Sequence, residues 1–542
     1  MPTAAHERTA PITTASRGPS TMRRPVPDTG VSYCRRVPLQ VDQLRWMATV
    51  HGGQTAYTQL AAGTSLSFGE WDEGSNRLAR GLVAAGVGRG DRVVLHLDNE
   101  HLERWLISYA AIHKAGAVAV PTNVRLTARE MAGIVADAEP VAVITSTRLA
   151  PVVAEAVAHA SGSLTAAPGP ELVIEADDPL RWDPLLAGDG DDFQVAADDG
   201  DLADIMYTSG TTGRPKGVAV RHRHTHLIAN GEPRWTGQAW IHCSPLSTFA
   251  GISFVYNPMK MGMRGLYLPR FEVGLWIDAV EAEQPTCAFL VPAMVQLLLA
   301  DERLAPADLS SLTLVSIGSA PLPPNLHQAL AERVPGAMVT NNYSMTEAGT
   351  AFTYLPPGEL ARRPGSVGVP LPPTEIRIAD AAGDSVTAGE TGEVLIKVGE
   401  HHREYYRDPE ATALTWSGSW LRSGDLGRLD ADGYLYIVGR AKDVVIRGGN
   451  NISATEVEHA LYEHDGVLEA AVVAVPHEVL GEDVGAFVVA RTGRQLDADE
   501  LRRFCAERLA DFKVPRTIWF IDELPRNANG KVVKRELVPP AG

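Results

Sequence analysis

The chain is short of aromatic residues (6%) and of cysteine (four in 542 residues). Its basic residues are outnumbered, with 49 Lys and Arg against 66 Asp and Glu and a net charge of −17. The scarcity of cysteine and of basic residues each excludes something. Cys34, Cys243, Cys287 and Cys505 lie far apart with no Cys-x-x-Cys pair, so free thiols are expected rather than a disulfide framework or a zinc site. The acidic balance argues against a nucleic-acid partner, which needs a basic face, and against a polybasic membrane-surface protein. No run of about 18 apolar residues occurs, so no membrane span is expected. Residues 1–30 are rich in Ala, Thr, Pro and Arg, lack the apolar stretch of a secretory signal, and read as a disordered tail. The expected location is cytoplasmic.

What is present suits a globular chain, with 45% hydrophobic and 21% charged residues over a length that suggests three or four domain-sized units. Up to about Gly200, helix-like and strand-like segments alternate. Leu78 and Leu82 lie at helical spacing before a stop at Gly86, "GDRVVLHL" reads as a strand, "HLERWLISYAAIHKAGA" as a helix and "VAVIT" as a buried strand. This alternation predicts an α/β fold with parallel sheets. The acidic stretch "LAGDGDDFQVAADDGDLAD" reads as a surface loop. "VTAGETGEVLIKVG" and "GYLYIVGR" suggest a small β unit. Beyond Gly439 the pattern becomes a compact α+β module. Its helix "SATEVEHALYEHDG" carries a capping box at Ser453 and Glu456 and a buried stripe at Val457, Ala460 and Leu461. "EAAVVAV" and "VGAFVVA" read as its strands. The expected organisation is a tail (1–30), a large N-terminal domain (31–438) and a mobile cap (439–542), with a site in the cleft between the last two.

Chemistry concentrates in "YTSGTTGRPKGV". After a short apolar strand ending at Tyr207 come Thr208, Ser209, Gly210, Thr211, Thr212, Gly213, Arg214, Pro215 and Lys216. Glycines let backbone N–H groups approach oxyanions, hydroxyls add donors and Lys216 adds a point charge, so the loop reads as a phosphate cradle. It is not a Walker A loop, because Gly-x-x-x-x-Gly-Lys-Ser/Thr is not satisfied.

This segment resembles the signature loop of the adenylate-forming superfamily. "SIGSAPLPP", "NNYSMTEAG", "WLRSGDLGRLDADGYLYIVGRAKDVVIRGGNNISATEVE" and "LPRNANGKVVKREL" resemble further blocks of that superfamily in the right order. The resemblance spans nearly the whole chain after the tail and points to its acyl-CoA synthetase, or acid–thiol ligase, branch. It implies that a carboxylic acid is joined to the α-phosphate of ATP with loss of pyrophosphate, then passed to CoA. By similarity, Thr208 to Gly213 and Lys216 hold the β- and γ-phosphates. Thr346 contacts the α-phosphate, and Glu347 and Thr208 bind Mg2+. Gly318, Ser319, Ala320 and Pro321 line one side of the adenine, Tyr343 lies on its face and Asn342 meets its edge, with Ser344 and Met345 adjoining. Asp425 and Arg440 contact the ribose, and Lys531 bridges the carboxylate and the α-phosphate. The resemblance also makes Lys442 a hinge and places Arg447, Gly448 and Gly449 beside the CoA tunnel. Arg447 stays open between a CoA-phosphate partner and a solvated charge.

Departures from the pattern bear on the substrate. "PLSTFAG" has Ser247 and Thr248 where the family carries an aromatic residue and a histidine, and Ser344 stands where it carries glycine. Ser247, Thr248, Phe249, Gly251, Ser344 and Met345 are the expected acyl pocket, and small residues there favour a bulky hydrophobic acid. No acid stands where peptide-synthetase domains hold an α-amino group. The same departures put CoA transfer in more doubt than adenylation. A separate acceptor enzyme or carrier protein, a luciferase-like oxygenase and a non-catalytic relative are the competing readings.

Overall fold

The computed structural model describes residues 38–161, 170–208, 216–225, 228–349, 353–399, 402–527 and 531–539. The tail expected over 1–30, Cys34, and loop residues Ser209, Gly210, Thr211, Thr212 and Gly213 lie outside this set.

Two seven-stranded sheets form the bulk of the described chain. The first runs, edge to edge, Met338–Asn341, Leu314–Ile317, Cys287–Leu290, Ala239–His242, Arg264–Tyr267, Thr55–Gln59 and Thr64–Ser67. All its neighbours are parallel except the last pair. The second runs Glu404–Tyr405, Lys216–Arg221, Leu202–Thr208, Val118–Pro121, Arg92–His96, Ala142–Thr145 and Leu172–Glu175. Its two pairings nearest the 404–405 edge are antiparallel and the rest parallel. The sheets are therefore mixed rather than purely parallel. The central strands are buried on both faces and carry near-continuous Val, Ile, Leu and Ala, as doubly covered strands do.

The helices Phe68–Ala84 and Leu102–Lys114 form where helical spacing predicted them, with Leu78 and Leu82 fully buried. The first opens on a reciprocal Ser67/Glu70 capping box and ends before Gly86 at φ +99°. The acidic loop ends sooner than expected, since Leu202, Ala203 and Asp204 already belong to a strand, and that strand runs on to Thr208.

The small β unit is present as Glu375–Ala379, Gly392–Lys397, Trp420–Leu429, Trp416–Ser417 and Leu435–Arg440. The C-terminal sheet has its own core, with Val445, Val457, Leu461, Val472, Val484 and Leu501 at its centre. Each such side chain removed from water contributes roughly 1.5–3 kcal/mol. The Ala454–Tyr462 helix is capped by Ser453, whose Oγ accepts from Glu456 N–H at 3.2 Å. The reciprocal half of the expected capping box is replaced. The Glu456 carboxylate instead accepts from Lys513 at 2.6 and 2.9 Å, a charged partner outcompeting a neutral amide.

Cys243, Cys287 and Cys505 are free and buried. No helix among the described residues is long and apolar enough to cross a membrane.

Candidate active site

The candidate residues gather beyond the C-terminal ends of the first sheet's strands, the general location of ligands in open α/β sheets. Leu314–Ile317 leads into buried Gly318 and exposed Ser319, Ala320 and Pro321. Ser319 holds φ +72°, an uncommon conformation for a side-chain-bearing residue and a mark of local strain. Met338–Asn341 leads into Asn342 and Tyr343. Asn342 is turned toward the sheet: its amide donates to Ser316 Oγ at 2.7 Å and accepts from Thr340 Oγ1 at 2.8 Å. That leaves one amide hydrogen for another acceptor.

Asp425 is the hub. Its Oδ2 accepts from the Tyr343 hydroxyl at 2.6 Å and its Oδ1 lies 2.7 Å from Arg440 Nε. Sheet pairing explains the second contact, because Asp425 and Arg440 are cross-strand partners. Burial raises the Asp425 pKa, and Arg440 and the Tyr343 hydroxyl act against that rise. Tyr343 is half-buried, and desolvation and then the Asp425 charge push its hydroxyl well above the usual phenol range.

Lys531 stands with the same group. Desolvation and the Arg440 charge lower its pKa, while Glu347 and Asp425 hold its proton. Its residue surface remains exposed, so it occupies a crowded but water-accessible cleft rather than a sealed interior. Its segment is pinned on both sides, by Arg526 to Glu469 and by Lys534 to Glu458 at 2.7 Å. Leu524 and Leu537 are buried in the C-terminal module.

The phosphate-loop ends join from the other side. Thr208 and Lys216 face each other as the last pair of an antiparallel hairpin. Lys216 Nζ lies 5.1 Å from the centre of the Tyr405 ring. The Tyr405 hydroxyl donates to Glu347 Oε1 at 2.9 Å. Thus Lys216, Tyr405 and Glu347 form one chain of contacts and Tyr343, Asp425 and Arg440 another, and the charges of Glu347, Asp425 and Arg440 all bear on Lys531. Tyr405 and its neighbour Arg403 are absent from the sequence-derived set. Their segment "REYYRDPEAT" has no glycine-rich run to mark it, and strand pairing of 404–405 with 218–219 brings it to the site.

The expected acyl residues behave differently. Thr248 caps the helix Phe249–Lys260, accepting from Gly251 N–H at 3.1 Å and donating to the Pro245 carbonyl at 2.8 Å. Gly251 has no room for a side chain, since a Cβ would lie 2.0 Å from the Pro245 oxygen. The space expected at Ser247 is small. Ser247, Trp105, Thr122 and Asn123 line a cavity of about 10 Å3, close to the least that holds one water. Met345 packs with Tyr343 against the small β unit. Ser344 Oγ is buried without a hydrogen-bond partner. Aromatic rings stand near: Phe254 lies 4.9 Å from Phe289, whose ring would be 3.7 Å from a Cβ placed on Gly318.

On the C-terminal module, Lys442 is exposed in a single turn, Ala441–Asp443, between two strands. Gly448 and Gly449 make a hairpin turn at φ +55° and +86°. Arg447 is half-buried and paired: its Nε lies 2.7 Å from buried Asp483 and its Nη1 donates to the Phe512 carbonyl at 3.0 Å.

The chain as a whole is similar to known proteins. The pattern of the family described as AMP-binding enzyme matches residues 44–406, and that of the AMP-binding enzyme C-terminal domain matches 456–531. A feruloyl-CoA synthase of Amycolatopsis sp is 37% identical over 88% of this chain and 94% of its own length. The fatty acid–[acyl-carrier-protein] ligase ScoC of Streptomyces coeruleorubidus is 33% identical over 88% of this chain and 92% of its own. Among solved structures, the anthranilate CoA ligase AuaEII with anthranoyl-AMP superposes with a TM-score of 0.82 at 26% identity, covering 92% of this chain and 96% of that one.

Proposed function

Since this chain belongs to the AMP-binding enzymes and is an ATP-dependent, AMP-forming acid–thiol ligase, we propose that its acid is bulky and apolar, most simply an aryl acid, and that the polar cluster carries adenylation. The observation behind the adenylation reading is that Asp425 accepts from the Tyr343 hydroxyl at 2.6 Å and lies 2.7 Å from Arg440, with its charge and that of Glu347 bearing on Lys531 from the C-terminal module.

A carboxylate and a triphosphate repel each other, so neutralising their charge is the main catalytic task. The carboxylate oxygen attacks the α-phosphorus, the bond to the β-phosphate bridging oxygen breaks, and pyrophosphate leaves. Lys531 bridges the two anions at that moment. Thr208 and Lys216, with the loop between them, hold the β- and γ-phosphates, and Thr346 holds the α-phosphate. Asp425, already accepting from Tyr343 and facing Arg440, has lone pairs left for both ribose hydroxyls. Tyr343 stacks on the adenine, Gly318 to Pro321 line its other face, and Asn342 offers its remaining amide hydrogen.

Mg2+ fits the donor set. Tyr405 engages one Glu347 oxygen and leaves the other available, and Thr208 supplies a hydroxyl. A hard cation taking oxygen ligands and phosphates needs few protein carboxylates. Once bound, it would shield phosphate charge. In the second half-reaction the CoA thiol attacks the acyl carbon and AMP departs, with residues 439–542 rotating about Lys442 to withdraw Lys531. The need for ATP and CoA fits a cytoplasmic reaction.

The aryl assignment is supported by the rings Phe249, Phe254 and Phe289 and by relatives named for ferulate and anthranilate. A carrier-protein acceptor is the second reading. It is favoured by the relative ScoC and by Arg447, whose pairing with Asp483 occupies the cation expected to meet CoA. Pyrophosphate release with ATP, Mg2+ and a panel of aryl and aliphatic acids, with and without CoA, separates the two. Multiple turnovers only with CoA, and aryl acids preferred, are expected. Turnover indifferent to CoA, with adenylate accumulating, would favour another acceptor.

A further inference from the structure

Beneath the polar cluster lies a buried cation that none of the steps above employs. Arg403 is 2% exposed. Its Nη1 donates to the Thr346 carbonyl at 2.6 Å and its Nη2 to the His224 carbonyl at 2.5 Å. Its guanidinium carbon lies 5.0 Å from the centre of the Phe249 ring. Burial lowers its pKa to about 10, while Asp204, Glu347 and Tyr109 hold its proton, so it is charged at neutral pH. Asp204, on the strand leading to Thr208, is itself 3.2 Å from His113 Nε2. The arginine's own backbone is fixed, since its carbonyl accepts from the Trp416 indole at 2.9 Å. Gly349 makes room for it, because a Cβ there would lie 2.7 Å from the guanidinium carbon.

A side chain needed only to fill this space would be aliphatic, since burying a charge costs several kcal/mol before its partners repay it. The planar fork of arginine does what an aliphatic chain cannot, binding two carbonyls from two segments at a fixed angle. The segments joined here are the Thr346–Glu347 turn, the His222–His224 turn that follows the phosphate-loop hairpin and, through Phe249, the first turn of the acyl-side helix. We propose that Arg403 is a positioning residue for adenylation, setting the Thr346–Glu347 turn in register with the phosphate-loop hairpin and the acyl-side helix. This rests on the reading of Thr346 and Glu347 given above. Displacing such groups by about 1 Å can cost on the order of 100-fold in rate with little change in binding.

The test is steady-state ATP–pyrophosphate exchange, with thermal unfolding, for Arg403→Met, Arg403→Lys and, as a control on the underlying reading, Thr346→Ala. Arg403→Met is expected to lower kcat by roughly 30–100-fold while KM for ATP and acid moves less than about threefold. Arg403→Lys keeps the charge but lacks the fork, and is expected to fold with a near-normal Tm and to lose about tenfold in kcat. Should Arg403→Met not fold, Arg403→Lys decides. Wild-type kcat in folded Arg403→Lys, a loss confined to Tm, or a rise in KM for the acid at unchanged kcat would each overturn the proposal. Wild-type exchange in Thr346→Ala would overturn the reading of Thr346 instead.

Discussion

The sides proposed for the nucleotide and for the acid are built on opposite principles. On the nucleotide side the charged groups hold one another: Asp425 with Tyr343 and Arg440, Glu347 with Tyr405, Lys531 among the carboxylates. On the side proposed for the acid, rings meet rings. The polar atoms there are spent on local structure, as at Thr248, or left without a partner, as at Ser344. Charge recognition depends on a few groups at set positions, so losing one is expensive. Apolar recognition is spread over many contacts, so each substitution matters less and shape matters more.

The sharpest way to break this contrast is Lys531→Ala. Adenylation is expected to fall by about 100–1,000-fold, as when a transition-state charge partner is removed. Transfer from preformed acyl-adenylate should stay within about threefold in rapid-quench assays. Equal losses in both steps would contradict the rotation of residues 439–542. Next in size is Asp425→Asn, expected to raise KM for ATP by roughly tenfold or more, as loss of a charged acceptor does. Measuring KM for the acid alongside sharpens the comparison, because that value should barely move.

The pH profile gives a smaller effect. Desolvation and Arg440 favour neutral Lys531, so its proton leaves below the ordinary lysine range. Adenylation needing the cation should then decline as pH rises through that lowered value, and Lys531→Arg should carry the alkaline limb upward. Smallest is Thr248→Ala, expected to cost about 1 kcal/mol of stability through loss of the helix cap. Its adenylation rate should stay within about twofold, with Tm and exchange measured on the same preparation. A large change in acid preference would instead give Thr248 a direct substrate contact.

Much of the site proposed for the nucleotide could be named before any fold was known. Phosphate cradles, diol-reading carboxylates and bridging lysines demand particular side chains in short, ordered blocks, and those blocks survive as text. Leu78, Leu82, the 68–84 helix and the strands at 92–96 and 142–145 were legible for a related reason, since periodicity follows directly from backbone geometry. The acyl side was less so. Small letters at Ser247 and Thr248 suggested open space; Ser247 shares a cavity of about 10 Å3 with Trp105, and Thr248 turns back to cap its own helix. Volume depends on what packs in from elsewhere in the chain, and no local pattern reports that.

The amino-acid sequence by itself determined which groups are present for the proposed chemistry, to cradle phosphates, read a ribose and bridge two anions, and the helices and strands that carry them. Only the tertiary structure decided which of those groups meet. Pairing of 404–405 against 218–219 brought Tyr405 to Glu347 and Arg403 beneath Thr346. The fold also committed Arg447 to Asp483 and Glu456 to Lys513. A charged side chain takes the strongest partner within reach, and reach is set by packing between segments distant in sequence.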